Sequence, residues 1–328
     1  MIYLSLFNGI SAGRLALSRA GIEFDKYYIA EIDKFANKVS EFHYPDNIQL
    51  GDVNNWREWD TDWSSVGLVT AGFPCQSWSL AGKQLGDKDE RGKLFWVTLD
   101  IMSHVLDKNP HAKFMLENVK MKKEFEEYIT LHTENALGKV FKTLINSALV
   151  SAQNRNRYYW TNFPVSQPSD KGLLLKDVIV DDYISDRDKS YCIDANYSKG
   201  ANPSQYFNKS RRQLVFNGHV IYQRPRGKNK GAVFTEKSPT LTACSWEENN
   251  KLSYRKLTPT ECARLQTFPD GWCENVVSNS QSYKSYGNAW TVDVIKHIFE
   301  CMERSNNARR DINVRFDNDV IRKSNAVT

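Results

Sequence analysis

Cys75 is the residue around which chemistry could be built. It lies in Phe73-Pro74-Cys75-Gln76-Ser77, directly after Val66-Gly67-Leu68-Val69-Thr70-Ala71-Gly72. That apolar, β-prone run predicts a buried strand ending near Ala71. A thiolate attacks electron-poor carbon well. The loop after such a strand is where open α/β sheets place their ligands. A Pro-Cys pair alone reads as a small core residue beside a turn proline, because free cysteine is usually buried and inert. The residues around it reverse that reading. Glu117-Asn118 closes a second strand-like run, Lys113-Phe114-Met115-Leu116, and delivers a carboxyl group at a strand end. Glu31 follows Tyr27-Tyr28-Ile29-Ala30, and Asp52 follows a short apolar stretch. An acid after the second strand can accept hydrogen bonds from ribose hydroxyls, or simply be solvated.

The elements that must position these groups follow from the pattern. Ile2-Tyr3-Leu4-Ser5-Leu6 predicts a first strand, Phe7 to Gly13 a tight loop, and Arg14 to Ala20 a helix closed by Gly21. Strand, glycine loop and helix open a nucleotide-binding βαβ unit. The spacing Gly9…Gly13 is not the dinucleotide fingerprint, which counts against a nicotinamide cofactor. Helices are predicted over 33–42, 94–106 and 124–137, and a strand within 140–149. Strands alternating with helices give a largely parallel sheet covered on both faces. The polar stretch from Ser77 to Lys93, with three glycines, reads as a lid.

The pattern changes after Pro164. Residues 165–250 are polar, with short β-like pieces such as Gly218-His219-Val220-Ile221-Tyr222. Arg211, Arg212, Arg224, Arg226, Lys228 and Lys230 give this stretch the look of a nucleic-acid surface or of a solvated loop face. Thr258-Pro259-Thr260-Glu261 predicts a helix start with a capping box. Tyr286-Gly287-Asn288-Ala289-Trp290 reads as a tight turn before a helix ending near Glu303, and the charged tail reads as flexible. The expected domains are therefore 1–164, catalytic and cofactor-binding; 165–250, target recognition; 251–304, returning to the first; and 305–328, a tail.

Composition narrows the classes. A chain of 328 residues predicts one large or two modest domains. No run is long and apolar enough to span a bilayer, and the first residues lack the basic start of a secretory signal, so a cytoplasmic protein is expected. The six cysteines include no Cys-x-x-Cys pair, which predicts neither a metal site nor a disulfide framework. The net charge of +5 is mild, but Lys and Arg crowd 199–256, as a polyanionic partner would require.

In this order the pieces resemble the cytosine-5 DNA methyltransferases, from Ile2 to about Glu303 and leaving out most of 165–250. The resemblance implies a Rossmann-like S-adenosylmethionine-dependent methyltransferase fold, mostly parallel, with a small irregular recognition region. It implies a cofactor site at Phe7, Asn8, Gly9, Gly13, Glu31, Ile32, Asp52, Val53, Pro74, Asn288, Ala289 and Trp290. Pro74-Cys75-Gln76 resembles the nucleophile motif, and Glu117-Asn118-Val119 the acid motif. Gln153-x-Arg155-x-Arg157 resembles the motif whose arginines contact the target base and nearby backbone, so Cys75, Glu117, Arg155 and Arg157 are the implied catalytic set. Gln76, Ser77, Arg91, Arg224 and Arg226 are the implied DNA contacts. Asn8 and Ala289-Trp290 depart from the usual pattern. The aromatic Trp290 and the contexts Ser151-Ala152 and Tyr158-Tyr159-Trp160 look closer to the animal de novo branch than to restriction-system enzymes. Double-stranded DNA is the expected partner, and a cognate restriction endonuclease a further one. An RNA methyltransferase of the same fold and a non-catalytic DNA-binding relative are the competing readings. The second would be expected to lack Cys75 or Glu117, and both are present.

Overall fold

The computed structural model describes residues 1–74, 90–199, 204–223, 227–228, 230–234 and 250–325. They form two compact units. The first comprises Met1–Asn146, Asn156–Ser169 and Trp290–Thr328; the second comprises Ser147–Arg155 and Asp170–Ala289.

The first unit is built on a seven-stranded sheet. Its strands are β1 (Ile2–Leu6), β2 (Lys26–Ala30), β3 (Ile48–Gln49), β4 (Val66–Ala71), β5 (Lys113–Val119), β6 (Phe141–Asn146) and β7 (Asn156–Thr161). The order is β3-β2-β1-β4-β5-β7-β6. The first five run parallel, and β7 lies antiparallel to both β5 and β6. Parallel strands need crossovers, and α1 (Ala12–Ala20), α2 (Lys34–His43) and α3 (Glu90–Lys108) supply them. All five residues of β1 are buried, as expected of a strand covered on both faces. The strand order reverses between β1 and β4, the point where open α/β sheets bind ligands at the carboxyl ends of the strands.

The sheet is largely parallel, as the sequence predicts, with one antiparallel hairpin at its edge. The β6 and β7 runs are separated by only nine residues, 147–155, too few for a covered crossover, so they pair antiparallel. The C-terminal helix differs from the expectation. It runs over Val292–Asn325 rather than ending near Glu303, and the residues beyond Arg304 include no proline or glycine to stop it. It is tied to the first unit by an ion pair of 2.7 Å between Arg19 and Asp293. Phe299 stands edge-on to Tyr3, with ring centroids 6.1 Å apart.

The second unit contains an antiparallel sheet of β8 (Leu214–Gln223), β9 (Ala232–Phe234) and β10 (Asn250–Lys256), in the order β10-β8-β9. The helix Pro259–Leu265 begins with the predicted capping box: Glu261 N donates to Thr258 Oγ1 at 3.2 Å and Thr258 N to Glu261 Oε2 at 2.7 Å. Arg255 grips the same buried carboxylate with two bonds of 2.8 Å, so the acid is paired as burial demands. The predicted turn at Tyr286–Trp290 is instead the end of a helix, Asn279–Asn288, with Ala289 as its cap. A Cβ on Gly287 would lie 2.3 Å from the Asp194 carbonyl carbon, so this glycine is there for close backbone packing. Among the described residues no helix is long and apolar enough to cross a membrane.

Gly13 is likewise a packing glycine. A Cβ there would meet the Tyr3 hydroxyl at 2.5 Å and the Tyr27 hydroxyl at 3.2 Å. Tyr3 is bonded to Thr70, and burial pushes its hydroxyl up to about 12, so it stays neutral. Gly13→Ala should therefore lower the unfolding free energy by about 1–3 kcal/mol, the usual cost of overpacking. At an ordinary helix site the same change gains up to about 1 kcal/mol. A urea midpoint that stays put or rises would contradict this packing role.

Candidate active site

Register brings the chemistry-bearing residues into one row. Leu6 of β1 pairs with Ala30 of β2 and with Ala71 of β4, and Ala71 pairs with Leu116 of β5. The next residue on each strand is therefore Glu31, Phe7, Gly72 and Glu117, in that order across the sheet edge. Neighbouring strands lie about 4.8 Å apart, so these four positions are within reach of one small ligand.

Glu117 is held on both oxygens. It is 8% exposed. Arg157 Nε lies 3.1 Å from Oε1, and Trp290 Nε1–H donates to Oε2 at 2.9 Å. Arg157 reaches the carboxylate because β5 and β7 pair Glu117 with Tyr159 and Val119 with Arg157, which sets Glu117 and Arg157 diagonally across the strand pair. Gly72 leaves room for this arrangement. A Cβ there would lie 2.8 Å from Trp290 Nε1 and 3.0 Å from Glu117 Oε2.

Asn118, 1% exposed, extends the acid's reach to the neighbouring loop. Its Nδ2 donates to Phe73 O at 3.2 Å, and its Oδ1 accepts from Val119 N at 2.8 Å. The chain is thus fixed immediately before Pro74. Asn118 was not foreseen as a site residue, although its place beside Glu117 was the available signal. Cys75, Gln76, Ser77, Arg224 and Arg226 lie outside the described residues, as does most of the predicted lid. Arg91 lies in the first turn of α3.

The other end of the row is a strained loop. Phe7, Gly9 and Ser11 have φ of 55°, 58° and 63°. Only glycine adopts such angles without cost, so two non-glycine residues there are held by their surroundings. Glu31 is one holder. Its Oε2 accepts from Gly9 N at 2.9 Å, and its Oε1 from Ile32 N and Asp33 N at 2.9 and 2.8 Å. A carboxylate has about four lone-pair sites, so capacity remains at Oε2. Ile32 beside it is 74% exposed, an apolar side chain left bare at a strand end. Asp52 accepts from Asn54 N and Nδ2, both at 2.9 Å, capping the short turn Val53–Glu58.

Three residues expected at the cofactor site are packed within the first unit. The Asn8 side chain is buried among Ser11, Ser40 and Tyr27. Val53 is part of the apolar core. Gly13 is filled against by the tyrosines described above. Packing of the sheet against α1 and α2 claims the positions of Asn8 and Gly13.

Arg155, expected in the catalytic set, is buried among backbone carbonyls. It is 4% exposed. Its guanidinium donates to Ile193 O at 3.1 Å, Gly287 O at 3.2 Å and Ala289 O at 2.9 Å. Gln153 does similar work, donating to Leu265 O at 3.2 Å and accepting from Ile193 N at 2.8 Å. Both belong to the framework of the second unit, as do the exposed Asn288 and the buried Ala289. Among the described residues no group of three His, Cys, Asp or Glu could hold a metal ion.

Residues 1–304 match the profile of the family described as C-5 cytosine-specific DNA methylase. The chain is 31% identical to the Type II methyltransferase M.HhaI of Haemophilus parahaemolyticus, over 90% of this chain and 92% of that one. It is 29% identical to M.NlaX of Neisseria lactamica, over 94% and 98%. Among solved structures, the Entamoeba histolytica methyltransferase EhMeth superposes with a TM-score of 0.63 at 15% identity, covering 92% of this chain and 97% of that one. DNMT2 of Spodoptera frugiperda gives 0.58 at 18%, covering 92% and 98%. The relatives by sequence are bacterial Type II enzymes, which overturns the expected closeness to the animal de novo branch. Trp290 suggested that closeness, but a single aromatic residue can be explained locally, by its bond to Glu117.

The two arginines of one motif should separate experimentally. Arg155→Lys loses the fork that satisfies three buried carbonyls and should cost about 2–4 kcal/mol of unfolding free energy. Arg157→Lys should cost less stability and more activity. An Arg155→Lys protein of unchanged stability and reduced turnover would return Arg155 to the catalytic set.

Proposed function

The chain belongs to the C-5 cytosine-specific DNA methylase family, and from that premise we propose that Cys75, Glu117 and Arg157 carry out methyl transfer to C5 of a cytosine in duplex DNA. The observation that carries the assignment is the buried Glu117 carboxylate. It is fixed on both oxygens at the end of β5, one strand from the Gly72–Pro74 segment that leads into Cys75.

C5 of cytosine is a poor nucleophile. Addition of the Cys75 thiolate to C6 breaks the C5–C6 double bond and moves electron density to C5. Glu117 offsets the charge that builds on the ring by sharing a proton with N3. Arg157 lies against Glu117 and can donate to the ring carbonyl oxygen, a donor already in place before charge develops. Once C5 has bonded to the methyl group, loss of the C5 proton to a base and departure of Cys75 from C6 restore the double bond and the aromatic ring. The target base must leave the duplex for any of this to occur.

The residues present fit S-adenosylmethionine. It supplies an electrophilic methyl group when bound. Glu31 keeps acceptor capacity for a pair of hydroxyls, Ile32 offers a bare apolar face to a flat ring, and Asp52 stands at the next strand end. Gly9 lets the backbone approach closely. The second unit, with its three-stranded sheet and basic segment 199–256, would read the target. Its chemistry suits phosphate contacts, and Arg224 and Arg226 are the proposed contributors. The family and the Type II relatives support DNA over RNA as substrate; a cognate restriction endonuclease as partner and action in the cytoplasm are part of the proposal.

Fluorine at C5 leaves no proton to remove, so the adduct should stall. DNA carrying 5-fluorocytosine in place of cytosine, with S-adenosylmethionine, should give a complex that survives denaturing electrophoresis. Cys75→Ala should abolish the complex while leaving noncovalent DNA binding. Glu117→Gln should slow its formation strongly. An adduct that persists in Cys75→Ala would move the nucleophile to another cysteine, and trapping on RNA alone would favour the RNA-modifying reading.

A further inference from the structure

The indole of Trp290 stands where the resemblance led us to expect a cofactor contact, yet its polar atom is committed elsewhere. Nε1–H donates to Glu117 Oε2 at 2.9 Å. The opposite oxygen faces Arg157 Nε at 3.1 Å. The sheet floor beneath them is cut away at Gly72, where any side chain would strike both Trp290 and Glu117. Three positions on separate stretches of the chain thus agree on one placement of one carboxylate.

We propose that Trp290 is a positioning residue for Glu117, which sets the carboxylate for proton sharing with the flipped base and does not itself contact the cofactor. The proposal rests on the reading of Glu117 as the acid of the reaction. A carboxylate bound only by Arg157 on one oxygen keeps freedom to rotate about its terminal torsion, which is broad for glutamate. The second donor, on the other oxygen, removes that freedom. The indole N–H is suited to this because it is a donor only and cannot take a proton from the acid.

Two readings of Trp290 predict different kinetics. A cofactor contact that is equal in ground and transition state changes KM for S-adenosylmethionine and leaves kcat; a positioning role changes kcat and leaves KM. Trp290→Phe keeps an aromatic ring over Gly72 and removes only the donor. With unmethylated genomic DNA and tritiated S-adenosylmethionine, it should lower kcat by about 10-fold, with KM for the cofactor within about twofold of the parent. Gly72→Ala approaches the same pair from below, without altering Trp290, and should reproduce the loss. Thermal melting of both variants identifies any that fail to fold. Were Trp290→Phe unfolded, Gly72→Ala would still decide the outcome.

Glu117→Gln in the same assay separates this idea from the one beneath it. If Glu117→Gln retains full kcat, the assignment of the acid itself is wrong. If Glu117→Gln is strongly impaired while folded Trp290→Phe keeps parental kcat, the positioning role alone is overturned. A rise in KM at unchanged kcat in Trp290→Phe would restore Trp290 to the cofactor site.

Discussion

The parallel pairing of β1 with β2 and β4, and of β4 with β5, is the constraint on which the site depends. Because the register sets Leu6 opposite Ala30 and Ala71, and Ala71 opposite Leu116, β1, β2 and β4 end level and β5 carries Glu117 in the next row. Glu31, Phe7, Gly72 and Glu117 follow in a row as a consequence. A slip of one residue on β5 would exchange Glu117 with a side chain of the opposite face. The buried apolar faces of β1, β4 and β5 prevent that slip, so the core of the first unit is what aims the acid.

At one end of the row the backbone is bent through three positive φ angles and pinned by Glu31. At the other, side chains converge on Glu117. The two ends use different physics. Close approach to a ligand needs backbone freed of side chains, and Glu31 stabilises that bend by accepting the Gly9 amide. Control of a proton needs a carboxylate with few alternative placements, and Arg157 and Trp290 reduce those placements. Asn118 couples the second end to the loop that leads to Cys75, since one buried amide holds both Val119 and Phe73.

The strands of the parallel sheet were legible because each is a short apolar run bounded by turn residues. The capping box at Thr258 was legible for the same local reason. What escaped the sequence was non-local. Arg155 and Arg157 occupy equivalent places in one motif, yet only the pairing of β7 with β5 places Arg157 beside Glu117, while Arg155 falls among carbonyls of the second unit. Gly13 is expected at the cofactor site and Gly287 in a turn, but the atoms that forbid a Cβ at each belong to distant residues, Tyr3 and Asp194. The helix Asn279–Asn288 has the composition of a loop, and forms because Ser282, Tyr283, Tyr286 and Gly287 are buried along one face. Trp290 was marked as a departure, and its bond to Glu117 could not be seen without the fold.

Transfer of a methyl group to C5 of cytosine in DNA through Cys75 is the reaction proposed for this chain. The most direct measurement uses the purified chain, unmethylated DNA and S-adenosylmethionine bearing a trideuterated methyl group, followed by digestion to nucleosides and mass spectrometry. Deuterated 5-methyl-2′-deoxycytidine is the expected labelled product, with none of it from Cys75→Ala. Label on the exocyclic amines of cytosine or adenine, or undiminished label in Cys75→Ala, would contradict it.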